Sequence, residues 1–112
     1  MSPITTHILD TAAGKPAAGV PVQLQRLTGS SWTDLAQGST NADGRVTDLL
    51  KPGTLVAATY RITFDTGAYY REQGAGSFYP EVAVVFQVEN TQEHYHVPLL
   101  LSPFGYSTYR GS

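Results

Sequence analysis

Apolar residues recur at every second position along much of this chain. The alternation is clearest in residues 20–25, 59–64 and 81–88. Successive side chains of a β-strand point to opposite faces, so a period of two predicts strands with one apolar face. Further strands are predicted at residues 4–9, 31–37 and 45–47 and in two segments near the C-terminus, which makes about eight. The sequence therefore predicts an all-β fold.

Residues with turn-forming chemistry separate the predicted strands. These separators are Ala13-Gly14-Lys15-Pro16, Thr28-Gly29-Ser30, Asn41-Ala42-Asp43-Gly44 and Lys51-Pro52-Gly53. One helix is predicted from Asp65 to Gln73, with Asp65 or Thr66 as its N-cap and Gly74 ending it. Eight short strands and one small helix are typical of a β-sandwich. At 112 residues without an internal repeat, we expect a single domain spanning residues 1–112.

The last nineteen residues, His94 to Ser112, combine strand alternation with reactive side chains. They predict two strands joined at a tight corner, Ser102-Pro103-Phe104-Gly105. One strand face would carry Val97, Leu99 and Leu101, and the other His94, His96, Pro98 and Leu100. A half-exposed strand ordinarily carries Lys, Glu or Thr on its second face. Imidazoles among apolar groups, followed by a Tyr-Arg-Gly-Ser ending, indicate a functional role instead.

The composition limits the partners that the protein can have. Charged residues make up only 14% of the chain, against about 25% in ordinary domains, so we expect part of the surface to be covered by other subunits. A net charge of −2 and the absence of any basic run argue against nucleic acid or an anionic membrane as partner.

The chain contains no cysteine, which excludes disulfides and thiolate catalysis. The first ten residues lack the basic and apolar regions of a signal peptide, and no apolar run approaches the ~20 residues of a membrane helix. We therefore expect a soluble cytoplasmic protein, or a periplasmic one if a signal peptide has been removed.

The histidines and arginines can be interpreted in several ways. His94 and His96 have the spacing of a metal-chelating pair, but no third ligand is evident, so we predict no metal and no cofactor. His7 shares a strand face with Thr5 and Leu9; alone it is most simply a hydrogen-bonded histidine, and Arg45 a solvated charge. If His7 and His96 converge, a neutral imidazole could take a proton from water while a guanidinium stabilises negative charge on a carbonyl oxygen. That chemistry suits water attack on an activated amide, and no Gly-x-Ser-x-Gly motif supports a covalent serine mechanism.

Several motifs along the whole chain match one family. They are Thr6-His7-Ile8-Leu9-Asp10, Gly44-Arg45-Val46, Phe78-Tyr79-Pro80-Glu81-Val82, His96-Val97-Pro98-Leu99-Leu100-Leu101-Ser102-Pro103 and Tyr109-Arg110-Gly111-Ser112. With these motifs the chain resembles the transthyretin-like 5-hydroxyisourate hydrolases of purine breakdown.

The resemblance implies a prealbumin-like fold, with two four-stranded sheets per subunit and a homotetramer, a dimer of dimers, around a central channel. It implies a cofactor-free hydrolase that converts 5-hydroxyisourate to 2-oxo-4-hydroxy-4-carboxy-5-ureidoimidazoline. His7, Arg45 and His96 would be catalytic, with His96 the first choice as general base, although the sequence does not decide between the two histidines. His7 and Arg45 would also bind substrate, together with Tyr109, Arg110 and Ser112 across a subunit interface. His94 is not part of the family motif, and we interpret it as structural.

Two alternatives remain at this stage. One is a non-catalytic carrier of small ligands, as the hormone-carrying transthyretins are; these share the fold but lack the Tyr-Arg-Gly-Ser ending and the His/Arg/His set. The other is a purely structural β-sandwich such as an adhesion module, which would not need imidazoles on an apolar strand face. Because fold does not determine function, the site residues favour the hydrolase.

Overall fold

The computed structural model describes residues 1–112 and contains nine strands and one helix. The strands are β1 (Ile4–Asp10), β2 (Lys15–Pro16), β3 (Pro21–Thr28), β4 (Ser31–Ser39), β5 (Arg45–Val46), β6 (Ala58–Phe64), β7 (Val82–Val88), β8 (Tyr95–Ser102) and β9 (Gly105–Thr108). The helix, α1 (Thr66–Glu72), lies between β6 and β7. It has neither the length nor the apolarity to cross a membrane.

The strands form two sheets that pack face to face. The first has the order β2-β1-β8-β9, with the short strand β5 also paired to β1. The second has the order β4-β3-β6-β7. Strands β1 and β8 run parallel, whereas all the other pairs are antiparallel. The prediction of a β-sandwich is therefore confirmed.

The first sheet has one strand more than the sequence predicted. Lys15 and Pro16 lie in a predicted turn but form β2, paired with Asp10 and Leu9 of β1. Gly14 adopts a φ of 70°, which reverses the chain so tightly that the next two residues return along β1. A strand of two residues has no periodicity to detect, so alternation could not predict it.

The core lies between the two sheets and contains twenty buried apolar residues. Strand β8 contributes Val97, Leu99 and Leu101 to it, at 6%, 0% and 2% exposure. Alternation therefore turns His96 and Leu100, which are half-buried, to the outer face of the first sheet. This outer face holds the candidate site.

Helix α1 begins where the sequence predicted. The Asp65 carboxylate accepts a hydrogen bond from the Ala68 amide at 3.0 Å, as an N-cap does. The Tyr69 hydroxyl donates to the buried Asp10 carboxylate at 2.7 Å and so ties the helix to β1. Burial and the nearby Asp10 charge raise the pKa of Tyr70 to about 12, so its phenol stays protonated.

Candidate active site

The register of β1, β5 and β8 brings the polar residues together on one sheet face. Thr5 lies opposite His96 in the parallel β1–β8 pair, and His7 lies opposite Pro98. On the other side of β1, His7 lies opposite Arg45. Residues opposite each other in paired strands share a face, so all of these side chains belong to the outer face of the first sheet.

The turn before β5 determines where Arg45 lies. The Asn41 side chain accepts hydrogen bonds from the amides of Asp43 and Arg45 at 2.9 and 3.0 Å. Gly44 follows with a φ of 75°, and a Cβ atom there would lie 2.5 Å from the carbonyl oxygen of Ile8. The close approach of this turn to β1 therefore requires glycine and places Arg45 beside His7.

A shallow depression of about 190 Å³ opens on this face, and we call it the His96 depression. Its lining residues are Met1, Thr5, Thr6, Arg45, Thr47, His94, His96 and Ser112. Of the predicted site residues it contains Arg45, His96 and Ser112. His7 lies on the same sheet face but does not line the depression.

Arg45 and His96 differ in their surroundings. The exposed Arg45 guanidinium has no ion pair and no hydrogen bond within the chain, since the one salt bridge joins Arg110 to Glu93. His96 is half-buried. Burial lowers its pKa from the ordinary 6.5, and the nearby Arg45, His94 and His7 lower it further, while a hydrogen bond to the Thr5 backbone opposes the shift more weakly. The site thus combines a free cation with an imidazole that stays neutral near pH 7.

The terminal segment returns to β8 after an interruption. The pairing of β8 with β9 ends at Leu99 and Thr108. The residue before Leu99 in β8 is Pro98, which has no N–H to donate to a further pair. The same register resumes at Gly111, whose amide donates to the His96 carbonyl at 2.9 Å. A Cβ atom at Gly111 would lie 2.6 Å from Cδ2 of the His96 ring. The glycine therefore lets the backbone lie directly against the imidazole.

Tyr109 and Arg110 lie outside the His96 depression. The Arg110 guanidinium lies 4.4 Å from the ring centroid of Tyr95 and forms an ion pair with Glu93 at 3.3 Å. Tyr109 and Arg110 line a second cavity of about 150 Å³ beside β7, to which His96 also contributes. Within one chain, Ser112 therefore lines the depression that contains Arg45, whereas these two residues do not. Their role as substrate ligands stays a prediction.

Sequence reasoning did not single out Thr5, although its hydroxyl contacts both C-terminal histidines. Thr5 Oγ1 lies 3.0 Å from Nε2 of His94 and 2.8 Å from Nδ1 of His96. The available signal was its position two residues before His7, on the same face of the predicted strand. His96 Nε2 has no hydrogen-bond partner in the chain and is free to contact a ligand.

The structure gathers no group of three or more His, Cys, Asp or Glu side chains that could hold a metal ion. The half-buried imidazole of His96 and the unpaired guanidinium of Arg45 support proton transfer and stabilisation of negative charge.

Residues 4–111 match the sequence profile of the HIUase/Transthyretin family. The chain belongs to this family. It is 50% identical to the 5-hydroxyisourate hydrolase of Mus musculus, in an alignment that covers 99% of this chain and 96% of the mouse protein. It is 49% identical to the enzyme of the same name from Deinococcus radiodurans, with 97% and 95% covered.

Solved structures of this family confirm the prealbumin-like fold. The 5-hydroxyisourate hydrolase of Klebsiella pneumoniae superposes with a TM-score of 0.88 at 40% identity, and the match covers 100% of both chains. Sea bream transthyretin in complex with thyroxine superposes with a TM-score of 0.94 at 37% identity, with 98% of this chain and 95% of that chain covered. An enzyme and a hormone-binding protein therefore share this fold, and the site must distinguish between the two functions.

Proposed function

We propose that this HIUase/Transthyretin family member hydrolyses 5-hydroxyisourate to 2-oxo-4-hydroxy-4-carboxy-5-ureidoimidazoline, which is a step of urate degradation. The reaction would take place in a single domain spanning residues 1–112 and would need no cofactor. The observation that carries the proposal is that Arg45 and His96 line the same depression. The Arg45 guanidinium has no ion-pair partner there, and Nε2 of His96 has no hydrogen-bond partner. Relatives at 49–50% identity that are named 5-hydroxyisourate hydrolase support it.

In the proposed mechanism, Nε2 of His96 takes a proton from a water molecule. The resulting hydroxide equivalent attacks the lactam carbonyl carbon of the six-membered ring, and the C–N bond then breaks. The proton held by His96 passes to the departing ring nitrogen, so the elements of one water are added overall. A neutral imidazole is required at the start, and the lowered pKa of His96 supplies it near pH 7.

The other site residues would bind and orient the substrate. Arg45 would pair with its oxygens and stabilise the negative charge that develops on the carbonyl oxygen, an effect typically worth about 3 kcal/mol. Ser112 lines the same depression and would contribute a hydrogen bond. His7 would act as the second catalytic histidine from its position beside Arg45, while Tyr109 and Arg110 would contact the substrate from a neighbouring subunit.

The exposed strand edges support self-association as a homotetramer, a dimer of dimers. Strands β7 and β9 lie at the edges of their sheets, where backbone N–H and C=O groups lack partners. Apolar side chains are exposed at these edges, namely Val85 on β7 at 57% and Tyr106 on β9 at 41%, and Phe104 in the corner before β9 is 76% exposed. A second subunit could extend both sheets and cover these groups. A cytoplasmic location stays a prediction.

The decisive experiment is an optical assay. Urate oxidase generates 5-hydroxyisourate in the cuvette, and the loss of its ultraviolet absorbance is compared with and without this protein. We expect strong acceleration over the spontaneous decay, reduced at least about 10²-fold in His96→Asn, His7→Asn and Arg45→Ala, since general base catalysis contributes about 10²–10⁴-fold.

The control variant Lys51→Ala removes an exposed cation that does not line the His96 depression and should retain full activity. Near-normal turnover in one of the three site variants would remove that residue from the catalytic set. If the folded wild-type protein does not accelerate the decay, the proposed hydrolase function is wrong and a ligand carrier is favoured. Thyroxine binding would then test the carrier function.

A further inference from the structure

The Thr5 hydroxyl lies between two imidazoles, of which the proposed mechanism uses only one. It lies 2.8 Å from Nδ1 of His96 and 3.0 Å from Nε2 of His94, both within hydrogen-bond distance. Thr5 is 7% exposed, whereas His94 lies at the surface. The two rings are nearly parallel, at 22°, with centroids 6.3 Å apart. All three residues line the depression, and His94, the hydroxyl and His96 therefore form a continuous chain of hydrogen bonds along it.

Proton counting restricts this chain. A threonine hydroxyl has one proton to donate, and a neutral imidazole has one nitrogen that donates and one that accepts. If Thr5 donates to His94, then Nδ1 of His96 must carry a proton and donate to Thr5, which leaves Nε2 of His96 with a free lone pair. If Thr5 donates to His96 instead, Nε2 of His96 carries the proton and cannot act as a base.

We propose that His94 is a positioning residue that holds His96 in its basic tautomer through the Thr5 hydroxyl. By accepting the hydroxyl proton at Nε2, His94 leaves Thr5 able only to accept from Nδ1 of His96. This inference rests on the proposed function, because it assigns His96 Nε2 as the general base. It also gives a role to a histidine that lies outside the family motif and that the sequence suggested to be structural.

The same chain of hydrogen bonds suits the cationic state of His96. When Nε2 takes the proton from water, the imidazolium still donates from Nδ1 to Thr5, and Thr5 still donates to His94. No hydrogen bond has to reverse during the step, so the site needs no reorganisation. The other titratable side chains that act on the His96 ring are His7 on β1 and Arg45 on β5.

Nuclear magnetic resonance of the protein labelled with ¹⁵N-histidine tests this inference without any substrate. The chain has only three histidines, so single substitutions assign every signal. Spectra recorded near pH ~8, above the ordinary histidine pKa of about 6.5, report the neutral tautomers. We expect the proton of His96 mainly on Nδ1 in the wild type and in Thr5→Ser, which keeps the hydroxyl, and a larger share of it on Nε2 in His94→Leu.

The inference is overturned if His96 carries its proton on Nε2 in the wild type, or if the tautomer is the same in His94→Leu. Gln92→Leu is the matched control, because it places a leucine at an exposed position of the same loop whose side chain has no hydrogen bond to Thr5. Equal melting temperatures of the variants would show that each spectrum reports the folded protein. Because His94 is at the surface, its substitution should leave the fold intact, and Thr5→Ser provides a second comparison.

Kinetics complete the test. One hydrogen bond biases an equilibrium by about three- to tenfold, so kcat of His94→Leu should fall by about this factor with little change in KM. A KM increase with constant kcat would instead assign His94 to substrate binding and overturn the positioning role. If wild-type protein does not accelerate hydrolysis, the proposed function fails, whereas the tautomer coupling still stands or falls on the spectra.

Discussion

Gly111 is the residue whose size the site restricts most directly. A Cβ atom there would lie 2.6 Å from Cδ2 of the His96 ring and 3.2 Å from Cγ of Pro98. Gly111→Ala should therefore push the imidazole away from the Thr5 hydroxyl and lower kcat/KM at least about tenfold, since small misplacements of catalytic groups are costly. The measurement is the optical assay together with a melting curve.

The matched control for this substitution is Gly76→Ala, because no atom lies within 4 Å of the position that its Cβ would take. We expect Gly76→Ala to retain wild-type kinetics, and both variants to melt near the wild-type temperature. Full activity of Gly111→Ala would mean that the terminal backbone does not position His96.

The pH dependence of activity should reflect the lowered pKa of His96. Burial contributes most to this shift, and the charge of Arg45 is the next contribution. Only the neutral imidazole accepts a proton from water, so kcat/KM should be constant near pH 7 and fall with a midpoint below 6.5. In Arg45→Gln the plateau of kcat/KM should be lower, because the cation that stabilises negative charge is lost. The pH midpoint should be higher, because the Arg45 charge no longer disfavours the protonated form of His96.

The sign of the shift also has a consequence for stability. A histidine whose pKa is lower in the folded state binds a proton more readily when unfolded, so stability should decrease as the pH falls through about 6.5. Initial rates and urea unfolding over about pH 5–8 measure both effects. A midpoint of kcat/KM above 6.5 would contradict the assignment of His96 as a neutral base.

At the scale of elements, the tight turn before β5 determines where Arg45 lies. A Cβ atom at Gly44 would clash with the Ile8 carbonyl oxygen at 2.5 Å. An alanine there would also have to adopt a φ of 75°, which is unfavourable for any residue but glycine. Gly53 has a similar φ of 82° but open space around its Cβ position. Gly44→Ala should therefore be destabilised by more than the cost of about 1–3 kcal/mol that a positive φ alone imposes on Gly53→Ala.

Urea unfolding of the two alanine variants measures this difference. Gly44→Ala should also lose activity, because Arg45 would move with the displaced turn, whereas Gly53→Ala should keep its kcat. If the two variants have the same free energy of unfolding, the close approach of the turn to β1 does not contribute to stability.

Strands and the helix could be predicted well where the signal lies in a short stretch of sequence. Alternation placed Val97, Leu99 and Leu101 on the buried face of β8, and the Asp65 cap placed the start of α1. The pairing of strands could not be predicted in this way. The parallel β1–β8 pair joins residues about ninety positions apart, and no local pattern records which residues meet there.

At the scale of the whole molecule, the open edges of β7 and β9 predict assembly. Pairing across these edges would satisfy unpaired backbone groups and remove the apolar surface of Val85 and Tyr106 from water. Light scattering after size-exclusion chromatography should give four chain masses. Tyr106→Lys should shift the distribution to smaller species, because a charge would be buried at the interface.

Thr33→Lys provides the control, since it adds the same charge on β4, at the opposite edge of the second sheet. We expect it to leave the mass unchanged. A monomeric wild-type protein would contradict the tetramer and, with it, the contribution of Tyr109 and Arg110 from a neighbouring subunit.

The sequence by itself determined the class of fold and the buried face of most long strands, and its motifs predicted Arg45, His96 and Ser112 as site residues. These features depend on side-chain period, turn chemistry and motifs, which are properties of short segments. Only the tertiary structure decided that Thr5 joins His94 to His96, that Gly111 lies against the imidazole, and that Arg110 packs on Tyr95 rather than in the depression. Each of these contacts depends on the register between β1, β8 and the terminal segment, which the packing of the two sheets sets through the core.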